Sequence, residues 1–85
     1  MVLKGRTAII TGGARGIGKA AAIDLAKEGC NVVISTRNIQ ELDATSEEIK
    51  ALGAEVLSLP LDLSAEENVS RLVEKTIERF GTVDI

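Results

Sequence analysis

Three segments of helix length, each stopped by a glycine at Gly29, Gly53 or Gly81, alternate along the chain with short runs of β-branched and aliphatic residues. This alternation limits the fold more than any other feature of the sequence. Residues 6–11 have the consecutive apolar positions of a strand buried on both faces. Residues 16–28 predict a helix whose Ala20, Ala21, Ala22 and Ala26 allow close packing on a sheet. Residues 31–36 form a second β-branched run. Asn38 with Glu41 three residues on reads as an N-cap opening a second helix to about Leu52. Residues 54–60 give a third strand. Ser64 with Glu67 repeats the cap signature before a third helix, in which Val69, Leu72, Val73, Thr76, Ile77 and Phe80 fall on one face. Val83-Asp84-Ile85 reads as the opening of a fourth strand. The order β-α-β-α-β-α-(β) predicts an α/β fold, a doubly wound parallel sheet with right-handed crossovers, here truncated. In a 3-2-1-4 strand order the first strand is central, and an incomplete fourth strand would leave its edge open, so the isolated chain is expected to be marginally stable or oligomeric.

Between the first strand and the first helix lies Thr11-Gly12-Gly13-Ala14-Arg15-Gly16-Ile17-Gly18. A strand feeding a glycine-rich turn that opens a helix presents backbone N–H groups and the positive end of the helix dipole to bridged phosphates. Gly12 permits a tight turn off the strand, and Gly16 and Gly18 are expected to remove side chains where phosphate and sheet approach. Gly13 to Ala20 also matches most of a Walker A loop, G-x-x-x-x-G-K. That reading fails at Ala20, where a hydroxyl must hold magnesium, and Lys19 is expected to project from the first helical turn instead of curling under a phosphate.

Composition narrows the field further. The chain has 85 residues, a formal net charge of −3, one cysteine and no histidine. Scattered Lys and Arg leave no basic footprint for nucleic acid or a membrane surface. One cysteine and no histidine exclude both a disulfide within the chain and a Cys/His zinc site. Lys4 and Arg6 are not followed by the apolar stretch of a secretory signal, and no run approaches the roughly 18 apolar residues of a membrane span. A soluble, cytoplasmic protein is the expectation. Cys30, opening a strand, reads as a packed small hydrophobe.

Thr11-Gly12-x-x-x-Gly16-Ile17-Gly18 resembles the cofactor motif of the short-chain dehydrogenases/reductases. Leu61-Asp62-Leu63-Ser64 after the third strand resembles that family's Asp-Val/Leu pair beside the adenine ring. Phe80-Gly81-x-Val83-Asp84-Ile85 resembles the segment before its Asn-Asn-Ala-Gly strand motif. The resemblance spans essentially all 85 residues. Within the family the chain looks most like the 3-oxoacyl-(acyl-carrier-protein) reductases and their sugar or steroid dehydrogenase relatives. It implies a Rossmann-type fold and an oxidoreductase that moves hydride between a nicotinamide dinucleotide and a carbonyl/alcohol substrate, homo-oligomeric at full length. The family's catalytic Ser and Tyr-x-x-x-Lys have no counterpart, since the chain holds no tyrosine. Residues 1–85 are therefore expected to be the cofactor-binding first third of such an enzyme, without catalytic residues of their own. The alternatives are a dinucleotide-binding module without turnover and a truncated, non-functional fragment.

The end of the second strand bears on which dinucleotide. An NAD site places Asp or Glu there, about 20 residues after the glycine turn, on the ribose 2′-OH. Here the stretch is Ser35-Thr36-Arg37-Asn38, with no acid before Glu41. Arg37 can fork onto a 2′-phosphate, helped by Arg15 and by the polar groups of Thr36 or Asn38, which favours NADP(H) over NAD(H). The expected cofactor-binding set is Gly12, Arg15, Gly16, Ile17, Gly18, Arg37, Asn38, Asp62 and Leu63, the last through its backbone.

Overall fold

The computed structural model describes residues 3–12 and 16–85. Its elements are β1 (Thr7–Thr11), α1 (Gly16–Lys27), β2 (Asn31–Ser35), α2 (Ile39–Ala51), β3 (Val56–Leu59) and α3 (Glu66–Phe80). The three strands form one parallel sheet in the order β1-β2-β3. In register, Ile9 lies opposite Val33 and Val33 opposite Leu57. Because successive strand side chains point to opposite faces, β2 supplies two cores at once. Val32 and Ile34 meet Ala22 and Ala26 of α1 and Leu42 and Ile49 of α2 on one face. Val33 meets Leu72 of α3 on the other, flanked by Ile9, Leu57 and Phe80. The result is three layers, helix on sheet on helix.

Chain direction reverses at the expected glycines. Gly29, Gly53 and Gly81 all take positive φ, the left-handed conformation that ends a helix without a Cβ clash. Cys30 is buried, its Sγ 3.4 Å from the Leu3 carbonyl oxygen, and burial pushes its thiol up from the ordinary value. A packed small hydrophobe is what the sequence predicts, and the structure shows it.

Two expectations are corrected. Ser64 does not cap α3: the N-cap position is Ala65, which makes no side-chain cap bond, and the Ser64 hydroxyl donates to Asp62 Oδ1 at 2.7 Å instead. A carboxylate two residues back offers that hydroxyl a charge-assisted partner without helix geometry. The single apolar face read on α3 is in fact two rows. Leu72 and Thr76 are buried and Phe80 half-buried against the sheet, while Val69, Val73 and Ile77 remain 45%, 40% and 49% exposed.

The segment after α3 returns to β1. The Ile85 N–H donates to the Thr7 carbonyl at 3.1 Å, and the Ile9 N–H donates to the Ile85 carbonyl at 3.0 Å. This pair of bonds is how one parallel bridge is made, and it sets residues 84–85 on the side of β1 opposite β2. Asp84 fastens the start: its Oδ2 accepts the Thr7 N–H at 2.9 Å and Oδ1 lies 3.6 Å from Arg6 Nη1. The outer edge of β1 is thus covered as far as Ile9, and less open than the sequence led us to expect.

Candidate functional site

All three strands run parallel, so their carboxyl ends lie along one edge of the sheet, where α/β proteins of this kind bind ligands. Most of the residues singled out from the sequence gather there. Gly12 leaves β1 with φ +66°, and its N–H donates to the Ser35 carbonyl at the end of β2 at 2.8 Å. Gly16 opens α1 with φ +61°. A side chain would be strained at either position, and among the described residues, chain neighbours aside, a Cβ added at either would meet no atom within 4 Å. Of the space Gly16 and Gly18 are expected to clear for phosphate and sheet, the sheet takes none at Gly16: no described sheet atom lies within 4 Å of a Cβ placed there. The positive φ is what requires glycine at both positions.

The amino end of α1 has no acidic residue in its first turn, which leaves the dipole's positive end uncompensated by side chains of the helix itself. Ile17 stands 90% exposed beside it, an apolar surface presented at the mouth of the site. Gly18 lies one turn-position further on in α1. Lys19 pairs with Glu48 of α2 at 2.9 Å, so its ammonium is directed to a neighbouring helix and the Walker A reading has no lysine to use. Arg15 falls outside the described residues.

At the end of β2, Arg37 extends into solvent, with 79% of its side chain exposed, and Nη1 lies 3.8 Å from Asp62 Oδ2. Asn38 caps α2 as expected: Oδ1 accepts the Glu41 N–H at 3.0 Å. That bond commits the amide oxygen and leaves the amide N–H pair as the group Asn38 can offer a ligand. The Thr36 hydroxyl is 3.5 Å from the Asn38 N–H.

Beyond β3, Asp62 and Leu63 occupy the turn before α3. Asp62 Oδ1 accepts from both the Ser64 N–H at 3.0 Å and the Ser64 hydroxyl at 2.7 Å. Those two bonds, with the Arg37 guanidinium nearby, hold the Asp62 carboxyl below its ordinary range. Its carbonyl accepts the Asn68 amide at 2.9 Å, tying the turn to α3. The Leu63 side chain packs half-buried with Leu61 on the Val33–Leu72 core. What sequence reading missed is the Ser64 anchor and the Arg37–Asp62 contact. The first could have been found, since Asp-x-Ser is an ordinary Asx-turn pattern; the second needs the β2–β3 register.

Away from this edge, a hollow of about 290 Å³ lined by Leu57, Lys75, Glu78 and Arg79 sits beside β3. Arg79 there is tied to Glu55, before β3, at 2.7 Å, which places the hollow toward the opposite end of the strand from Asp62. It takes no part in the site. Among the described residues no three metal-ligating side chains cluster, and no helix is long and apolar enough to cross a membrane.

A family model for the short chain dehydrogenases matches residues 6–85. The chain belongs to that family. It is 46% identical over 90 aligned residues to hydroxysteroid dehydrogenase-like protein 2 of Bos taurus, covering 98% of this chain and 22% of the relative. A 7α-hydroxysteroid dehydrogenase, solved with NADH and 7-oxo glycochenodeoxycholic acid, superposes with a TM-score of 0.92 at 38% identity, over 96% of this chain and 32% of its own. L-sorbose reductase from Gluconobacter frateurii, solved with NADPH and L-sorbose, gives 0.91 at 33% identity, over 99% and 33%. The chain thus spans between about a fifth and a third of the short chain dehydrogenases it matches. These matches bear out both the family and the Rossmann-type parallel α/β architecture expected from the sequence.

Proposed function

We propose that this chain is the NADP(H)-binding amino-terminal segment of a short-chain dehydrogenase/reductase acting on a carbonyl/alcohol pair. The observation that carries the reading is Arg37: a guanidinium open to solvent at the end of β2, where no carboxylate follows until Glu41. Gly12, Gly16, Ile17 and Gly18 form the wall toward the diphosphate. Arg37, with the Asn38 amide and Arg15, takes the 2′-phosphate, and Asp62 and the Leu63 backbone flank the adenine. The described residues fit such a ligand, because none of them, chain neighbours aside, comes within 4 Å of a Cβ placed on Gly12 or Gly16. Bound nicotinamide would accept or supply the hydride. The residues present here bind and orient the adenosine half, and contribute no proton-transfer group.

The substrate belongs, on this reading, to the class of ketones and secondary alcohols. A 3-oxoacyl thioester fits it as well as the 7-oxo bile acid and L-sorbose bound by the neighbours. The full-length enzyme is read as a cytoplasmic homo-oligomer. Titration of NADPH and NADH, followed by their own fluorescence, tests the cofactor assignment cleanly, since the chain has no Trp or Tyr to interfere. A charge-assisted hydrogen bond is worth about 1.5–3 kcal/mol, so NADPH should bind at least about tenfold more tightly than NADH. Arg37→Asp should reverse that order. An unchanged NADPH/NADH ratio in Arg37→Asp would contradict the assignment.

A further inference from the structure

Asp62 Oδ2 lies 3.8 Å from Arg37 Nη1. The two residues leave adjacent strand ends, Arg37 two positions after β2 and Asp62 three after β3. Asp62 is firmly held: two bonds from Ser64 fix Oδ1, and the Ala65 N–H and Asn68 amide fix its carbonyl. Only Oδ2 is left facing outward, 3.8 Å from Arg37 Nη1. A fixed carboxylate beside an exposed guanidinium is a standing competitor for any anion that approaches the same group.

We propose that Asp62 is a positioning residue that sets cofactor selectivity: by pairing with Arg37 it restrains the preference for the 2′-phosphorylated dinucleotide. The inference rests on the NADP(H) reading given above. A 2′-phosphate brings a charge of about −1.5 to −2 and must draw Arg37 from Asp62 before it is fully paired. A 2′-hydroxyl asks nothing of Arg37, so the pair costs NAD(H) nothing. Asp62 therefore narrows the gap between the two cofactors. The contact is exposed and single-pronged, so the effect is modest: for a pair worth about 0.2–1 kcal/mol the ratio changes by about 1.5- to 5-fold. Screening at high salt should shrink it further.

The test is the ratio of NADPH to NADH dissociation constants, measured on the whole 85-residue chain. Any loss of adenine contact weakens both nucleotides alike and cancels in the ratio. Asp62→Asn keeps an acceptor oxygen for Ser64. Asp62→Ser, with a shorter acceptor, serves as a second variant should the first fold poorly by circular dichroism. Both should shift the ratio toward NADPH by about 1.5- to 5-fold at low salt. The same substitution placed on an Arg37→Ala background should shift it less. If Arg37→Ala removes the NADPH preference while the Asp62 variants leave the ratio unchanged or move it toward NADH, this inference is overturned and the NADP(H) reading stands. A full Asp62 effect without Arg37 would likewise overturn the pairing. If Arg37→Ala leaves the ratio untouched, or neither nucleotide binds, the NADP(H) reading itself falls and this inference with it.

Discussion

Gly16 shows how one residue can be required for two reasons at once. Its φ of +61° demands glycine for the backbone, and on the proposed reading it also leaves room for a ligand's phosphate. A left-handed residue with a side chain costs about 1–2 kcal/mol, so Gly16→Ala should lower stability in urea by that amount and weaken NADPH binding as well. Unaltered stability with full NADPH affinity would contradict both roles. Asp62 offers a second check at this scale. Its folded carboxyl titrates below the ordinary value of 3.8, mainly through the Ser64 hydroxyl. A lowered carboxyl favours the fold when ionised, so its contribution is complete above about 3.8 and disappears as pH falls through the depressed folded value. Ser64→Ala should therefore move the Asp62 titration upward when followed by carboxyl-carbon resonance. An unmoved titration would show that the hydroxyl is not the cause.

At the scale of the element, α2 and α3 look alike in sequence and begin differently. Asn38 and Ser64 each precede a glutamate by three residues, yet only Asn38 caps its helix. The local pattern is the same, and what separates them is Asp62: an acid two residues before Ser64 captures both its hydroxyl and its N–H. Asn38→Ala should accordingly cost about 0.5–2 kcal/mol of stability, the usual worth of an N-cap, read from chemical denaturation. Ser64→Ala should cost α3 no cap. Equal loss of helix stability in both variants would contradict this account. The helix spans themselves, and the glycines that end them, were legible because periodicity and stop signals are local. Which of two adjacent rows on α3 the sheet would bury was not: the rows Leu72-Thr76-Phe80 and Val69-Val73-Ile77 lie side by side, and the sheet covers only the first.

For the whole molecule, alternation of strand and helix sufficed to give the parallel sheet, its order and both helical layers, since a buried β2 between two helix faces is the arrangement that hides Val32, Val33 and Ile34 together. The proposed site along the carboxyl edge is read from its glycines and from the Arg37 position. The Arg37–Asp62 contact and the bonds of Asp84 to Thr7 and Arg6 depend on contacts between residues far apart in sequence, and no local pattern carries them. The exposed row Val69-Val73-Ile77, together with Val83 and Ile85, is apolar surface of the kind that drives association. Sedimentation velocity should show the chain self-associating, and Val73→Lys should reduce that; a monodisperse monomer for the unaltered chain would contradict it.

The central claim is that the carboxyl edge of this sheet receives the adenosine half of NADP(H). Amide resonances of the nitrogen-15-labelled chain, followed during titration with NADPH, test it most directly. The account predicts the largest shifts at Gly12, Gly16, Ile17 and Gly18, at Arg37 and Asn38, and at Asp62 and Leu63, with NADH moving the Arg37–Asn38 group least. Shifts centred elsewhere, such as the Leu57–Arg79 hollow, or no shifts at all, would contradict it.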